Sequence, residues 1–300
     1  MVGNAREKNN RNFNNLCGNT AISWASRRGN EGVVGTLIKY NDGSLVTADN
    51  WGRTPLMLAA RYGHVGVMRM LLKQNDVNPD TADTQYYQTP LSWAVQNGHE
   101  GVVRMLLERE DVNAANVDRW GRTPLSFAAQ IGREVVVRML LERNDVNTDH
   151  SDKKGRIPLS LAAKNGHEGV VRILLERDDA NTESADKKSQ TPLLLAAKKG
   201  HEGVVRVLLQ RNDISPDKAD KWGQTPLSWA AEGGHEGVVR ILLERNDVNP
   251  DKWDWSNVTP VSLAALNWHN RIGELLQSTE RSSAGPPRFP EPPSKWARRF

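Results

Sequence analysis

The chain has 300 residues, with 40 Lys and Arg against 36 Asp and Glu, 38% hydrophobic residues and one cysteine, Cys17. One cysteine excludes a disulfide framework within the chain, and no apolar run approaches the ~18 residues of a membrane-spanning helix. A net charge of +4 is too mild to dictate a partner, so the distribution of charge matters more than its sum.

Residues 1–13 are polar and aperiodic, and the opening MVGNAREKNNRNFNN lacks the apolar stretch of a secretory signal. A flexible N-terminal segment is expected there. Together with the cysteine count this points to a cytoplasmic location, with the nucleus also compatible. From residue 14 a pattern sets in. The tripeptide Thr-Pro-Leu, or a near copy, starts at Thr54, Thr89, Thr123, Ile157, Thr191, Thr225 and Thr259, with a degenerate first copy at Thr20. The spacing is 34 residues, apart from one step of 35 between Thr54 and Thr89. A fixed period of this size marks a stacked repeat array rather than two globular domains. Eight units are expected over residues 14–280, starting near residues 14, 48, 83, 117, 151, 185, 219 and 253.

The seventh unit shows how each is built. Thr225 followed by Pro226 is a helix start, with the hydroxyl as N-cap and proline at the first helical position. Leu227, Ala230 and Ala231 give a short first helix one small apolar face, and Gly233-Gly234 ends it. A second helix follows in HEGVVRILLER, buried through Val238, Val239, Ile241, Leu242 and Leu243. Asn246 is placed to close that helix in a left-handed conformation. Neither helix is long enough to be stable alone, so stability must come from stacking unit on unit.

These residues resemble the ankyrin repeat, through D-x-x-G-x-T-P-L-x-x-A-A-x-x-G-H followed by V-V-x-x-L-L and D-V-N. Asp118, Gly121, Thr123, Pro124, Leu125, Ala128, Ala129 and Gly132 carry the pattern in one copy, and Asp220 through His235 in another. The resemblance implies an all-α solenoid of helix pairs with protruding β-turn fingers, and a role in binding other proteins. Three features depart from the family pattern. Serine follows Thr-Pro-Leu in place of the usual histidine (Ser92, Ser126, Ser160, Ser228, Ser262), an Asn/Asp pair follows the second helix, and the finger is longer. This variant resembles arrays in fungal proteins, including those attached to NACHT-type NTPases, and by that analogy the chain would be an arm of a receptor. Polar Thr36 in the first unit and Gln277 in the last replace apolar residues of the inner units, as terminal caps require. The tail 281–300 contains five prolines and no helical period, and a basic, disordered or extended segment is expected.

Six of the seven histidines recur at one position: His64, His99, His167, His201, His235 and His269. Equivalent atoms of stacked helices lie about 10 Å apart, whereas zinc needs its ligands at about 2 Å. They therefore form no metal ladder, and a turn-forming histidine bonded to backbone between the two helices is expected. The Gly-His-Glu-Gly tetrads recur in register with that turn and lack the Gly-Lys-Ser/Thr of a phosphate loop. No HExxH, GxSxG or CxxC occurs, so no catalytic residue, cofactor or metal is predicted. Glu and Arg alternate by four along the second helices, as in Glu100-Arg104-Glu108, Glu168-Arg172-Glu176 and Glu236-Arg240-Glu244, which reads as a self-neutralised outer face. Trp24, Trp93 and Trp229 interchange with Phe127, Leu58 and Leu161, which marks a packing position.

The candidate binding residues are those that break the repeat. Three residues before each Thr-Pro, the finger carries Trp51, Tyr86, Trp120, Lys154, Lys188 and Trp222. One position earlier stand Arg119, Lys153, Lys187 and Lys221. Tyr62, Lys164, Lys198 and Lys199 end the first helices, and Arg53, Tyr87, Arg122 and Trp255 complete the set. By the resemblance these positions line the concave face. They form a basic middle flanked by aromatics, and Trp, Tyr and Arg are the types enriched at binding hot spots. The leading reading is a monomeric, non-catalytic scaffold for a protein partner with an acidic surface. Nucleic acid or another polyanion on the basic middle is the first alternative, and a small-molecule binder or enzyme using the aromatic groove the second.

Overall fold

The computed structural model describes residues 20–40, 44–177 and 180–280. Cys17, the segment 1–13 and the tail 281–300 lie outside them. Among the described residues there is no strand, and sixteen helices form eight pairs. The inner helices run from Ala21–Arg28 in unit 1 to Pro260–Leu266 in unit 8, and the outer helices from Glu31–Tyr40 to Asn270–Glu280. Each inner helix packs on its own outer helix and on the inner helix of the next unit, and outer helices pack on outer helices.

The local rules act as the sequence requires. Seven threonines, from Thr20 to Thr259, accept a backbone N–H three residues on, and proline follows six of them. Where serine replaces the family's histidine it bonds the cap itself, as in Thr225 Oγ1 with Ser228 Oγ at 3.0 Å. Ile157 has the backbone of a cap but no hydroxyl, and its side chain is only 2% exposed. The alanine pairs Ala59–Ala60, Ala128–Ala129, Ala162–Ala163, Ala196–Ala197 and Ala230–Ala231 are fully buried, which lets the helix rows approach closely.

Three sets of ties hold unit to unit. The finger residue after each aspartate donates its N–H to the fingertip carbonyl of the preceding unit, for example Lys187 to Lys154 at 2.9 Å and Trp255 to Trp222 at 3.0 Å. In the outer loops Arg143 donates to the carbonyls of Leu107, Arg109 and Val112, and Arg109 and Arg245 reach back to Leu72 and Leu209. The recurrent histidines supply the third set. They differ from the expected bond within a unit: each Nε2 lies 2.9–3.2 Å from a carbonyl oxygen in the last turn of the preceding unit's inner helix, as His201 does with Lys164. The ring lies over that unit's C-cap glycine, so a Cβ on Gly166 (φ +77°) would come within 2.7 Å of His201 Nδ1. Arg133 replaces the histidine of unit 4, and no hydrogen bond from its side chain is found among the described residues.

Two expectations are corrected. Asn246 does not close its helix in the left-handed region. The helix ends at Glu244 in right-handed geometry, and Arg245 ties the loop by binding Asp247 and the Leu209 carbonyl. Trp24 is not packed like its counterparts: it is 50% exposed against 8% for Trp93. Arg61 of the preceding unit lies 4.3 Å over the Trp93 ring, and Asp83 of its own finger accepts the indole N–H. Trp24 belongs to the first unit, and no described unit lies over it. The one-residue insertion falls in the third finger, where six positions separate Asp83 from Thr89 against five from Asp118 to Thr123.

Candidate functional site

Each finger is folded around an aspartate. Asp49, Asp118, Asp152 and Asp220 are buried, and one carboxylate oxygen of each accepts the N–H groups two and four residues on. The other oxygen takes a side-chain donor. In units 2, 4 and 5 this is the guanidinium of Arg53, Arg122 or Arg156, whose side chains are only 17–19% exposed. In unit 7 it is the Trp229 indole N–H at 2.9 Å. Arg53 and Arg122 are thus engaged inside their own fingers. Each also lies over the fingertip ring, 4.5 Å above Trp51 and 4.7 Å above Trp120. Asp152 is held below the usual carboxylate range: burial opposes its ionisation, but the Arg156 guanidinium and the two backbone donors outweigh it.

This framework fixes the fingertip side chains. Tyr86 stacks on Trp120 across two units, centroids 5.7 Å apart, and Arg119 lies 5.6 Å from the Trp120 ring. Tyr62 lies between Arg27 and Arg61 and stacks on His64. Tyr87 is exposed at the tip of the lengthened finger with φ 57°, where four other fingers carry glycine and two carry Ser189 and Asn257. Trp222 lies under Lys188 and Lys221, at 5.8 and 4.5 Å. Trp255 is 75% exposed, its backbone tied to Trp222.

Lys153, Lys154, Lys187, Lys188, Lys199 and Lys221 are exposed, and Lys164 and Lys198 are half-buried. Among the described residues none of the eight makes an ion pair. Burial lowers the pKa of Lys164, and repulsion from Arg156, Lys199 and Lys154 adds to it. Burial also lowers that of Lys198; Asp220 and Glu232 oppose the shift, while Lys188 and Lys199 reinforce it. Fingers and inner-helix ends of units 5 to 7 are therefore one electrostatic cluster. Lys198 also covers a ring, with Nζ 3.1 Å from the Trp229 centroid. Two residues outside the sequence-based set belong to this face. Arg61 is the equivalent of Lys164 and Lys198, and Glu232 at the same position in unit 7 ends the basic stretch. Aligning the seventh residue after each cap would have found both.

The outer face differs. Arg172 binds Glu168 and Arg240 binds Glu236, each at 2.7 Å, while Arg138 reaches Glu176 of the next unit at 3.1 Å. Arg104 makes no such pair among the described residues, contrary to the regular alternation of the sequence. The six recurrent histidines are committed to backbone carbonyls, and no group of three metal-ligating side chains occurs among the described residues. No helix among them is long and apolar enough to cross a membrane.

A family model described as ankyrin repeats (3 copies) matches residues 3–83, 75–150, 136–220 and 212–282. No curated protein matches the chain.

Proposed function

The chain belongs to the ankyrin repeat family, whose members are in general protein-interaction modules, and from that premise we propose a non-catalytic scaffold that binds an acidic surface of one protein partner on its finger and inner-helix face. The observation that carries this reading is the contrast between faces. Eight lysines of units 5 to 7 have no anionic partner among the described residues, while arginines of the same units' outer helices are neutralised. Trp120 and Trp222 border the lysines and supply apolar area at each end, and Trp51, Tyr62, Tyr86, Tyr87, Arg119 and Trp255 extend the face. Arg53 and Arg122 act through their fingers, holding Trp51 and Trp120 in place. In this reading the protein is a monomer in the cytoplasm. The fungal-type variant, with its receptor-arm analogy, is supported by the serines after Thr-Pro-Leu and the Asn/Asp loops.

The test is affinity for the partner recovered from source-cell lysate, with nuclease treatment to expose a nucleic-acid bridge. Replacing Lys153, Lys154, Lys187 and Lys188 by Ser should slow association and flatten its salt dependence. Trp120→Ala and Trp222→Ala should each cost about 2 kcal/mol. Replacing Glu168, Arg172, Glu236 and Arg240 by Gln should change nothing. Loss of binding in the last set alone refutes the assignment of the face. Because an anionic surface would favour protonated Lys164 and Lys198, binding should take up protons at alkaline pH and weaken as pH rises.

A further inference from the structure

The outer face is not uniformly neutralised, and its exception coincides with a cavity. The outer helices of units 1 and 3 to 7 begin with glutamate: Glu31, Glu100, Glu134, Glu168, Glu202 and Glu236. At four interfaces this carboxylate lies against the next unit's outer helix. Those of Glu31, Glu134, Glu168 and Glu202 fill the space that a Cβ on Gly66, Gly169, Gly203 or Gly237 would need. Unit 2 has Val65 instead, whose methyl is the nearest neighbour to a Cβ on Gly101, at 3.3 Å. Unit 2 also has Lys73 where units 3, 4, 5 and 7 have Glu108, Glu142, Glu176 and Glu244. Its outer helix therefore lacks both of the carboxylates that the outer helices of units 3, 4, 5 and 7 carry.

A cavity of about 440 Å³ opens at this place, between the outer helices of units 2 and 3. Val65, Leu72 and Met105 give it an apolar floor, and Arg69, Lys73 and Arg104 a cationic rim. All three rim cations are exposed, and none is ion-paired among the described residues, whereas Arg109 beside them is held by Asp111. Glu108 is the one carboxylate in the lining. We propose that this groove is a second docking site, which takes an acidic segment of a protein partner whose carboxylates alternate with apolar side chains. Charge complementarity argues for this occupant. The apolar floor takes a short aliphatic side chain, and a carboxylate beside it meets Arg69 and Arg104 where the other interfaces supply glutamate from within the chain. The site is separate from the finger face and does not rest on the function assigned there.

The probe is a fluorescent acetylated peptide, Leu-Glu-Glu-Leu-Glu-Glu-Leu amide, followed by anisotropy. The full-length protein carries Ser at Lys153, Lys154, Lys187 and Lys188, so that the finger face is silenced. Measurable binding below ~1 mM is expected. Val65→Glu restores the residue of six other units and should weaken binding at least tenfold, as should Arg69→Gln, which serves if the first variant melts below its parent. The Gln-for-Glu peptide should bind at least tenfold more weakly. Equal affinity for Val65→Glu and Arg69→Gln, or no binding of the acidic peptide, overturns the proposal. If octanoate binds here more tightly than the peptide, the groove serves a free amphiphilic carboxylate and the protein assignment fails. A failure here leaves the finger-face variants untouched, so the two readings fall separately.

Discussion

Gly166→Ala isolates the tie between neighbouring units. Gly166 ends the inner helix of unit 5 at φ +77°, and a residue with a Cβ costs about 1–2 kcal/mol in the left-handed region. The new methyl would also lie 2.7 Å from His201 Nδ1. The ring can retreat only by giving up its 3.0 Å contact with the Lys164 carbonyl, worth about 1 kcal/mol. Against this, alanine restricts the unfolded chain and recovers about 0.4–1 kcal/mol. The net expectation is a loss of about 2 kcal/mol, read by urea unfolding followed by circular dichroism. A double-mutant cycle with His201→Ala separates the terms. Without the ring, only the backbone cost should remain, giving a coupling of about 1 kcal/mol. A loss under about 0.5 kcal/mol, or an equal loss in both backgrounds, would refute the clasp. Unit 8 supplies the control. Trp268 stands at the same position with φ 63°, and no described unit lies over it. Trp268→Gly should therefore be neutral or stabilising by up to about 1 kcal/mol.

Ile157→Thr adds a cap worth about 1 kcal/mol but replaces a buried ethyl group by a hydroxyl, a loss of about 1.6 kcal/mol at ~0.8 kcal/mol per carbon, so the variant should melt slightly below its parent; a net stabilisation, or a loss beyond the equivalent of about 2 kcal/mol, would contradict the balance. Arg143→Ala releases the carbonyls of Leu107, Arg109 and Val112 and should cost about 1–2 kcal/mol, with faster amide exchange confined to units 3 and 4. Burial raises the pKa of Asp80 and Asp217, and one oxygen of each is buried without a partner. A carboxyl raised in the folded state disfavours folding when ionised, so its penalty fades as pH falls through the folded pKa. Asp217→Asn should therefore raise the melting temperature at neutral pH and abolish part of the gain on mild acidification. Asp145, lowered chiefly by Arg143, behaves oppositely: its contribution is present at neutral pH and lost as pH falls through its depressed pKa, so Asp145→Asn should destabilise at pH 7 and converge with the parent in acid.

The helix pairs, their caps and the aromatic and basic fingertips could be read in the sequence because they follow from short-range chemistry. Thr-Pro starts a helix and glycine ends it wherever they stand. What could not be read depends on the unit next door. The recurrent histidines were legible as turn residues, but their acceptors lie 37 or 38 positions back. Arg53 and Arg122 look like exposed fingertip cations, yet a buried aspartate four residues earlier holds each. Trp24 shares its helix position with Trp93, and what separates them is that no described unit covers it. The groove of unit 2 was present as two substitutions, Val65 and Lys73. It stayed hidden because the outer face was read as an average over all units, not position by position.

The exchange of histidine for arginine at position 133 has a mechanical consequence. In a linear array every junction carries the same tension, and each yields at the edge with the fewest ties. Between units 3 and 4 the fingers are joined through Arg119 and Tyr86, and the outer loops through Arg143. At the helix turn Gly98 faces an arginine side chain instead of a bonded imidazole. The junction keeps the ties of two edges and lacks the histidine tie of the third, so a load on the array should open it first along that edge. The groove of units 2 and 3 lies on one side of this junction and the lysines of units 5 to 7 on the other. Were the array to bend at Arg133, the angle between the two surfaces would change, and a partner long enough to span both would sense the compliance of the array as well as its shape.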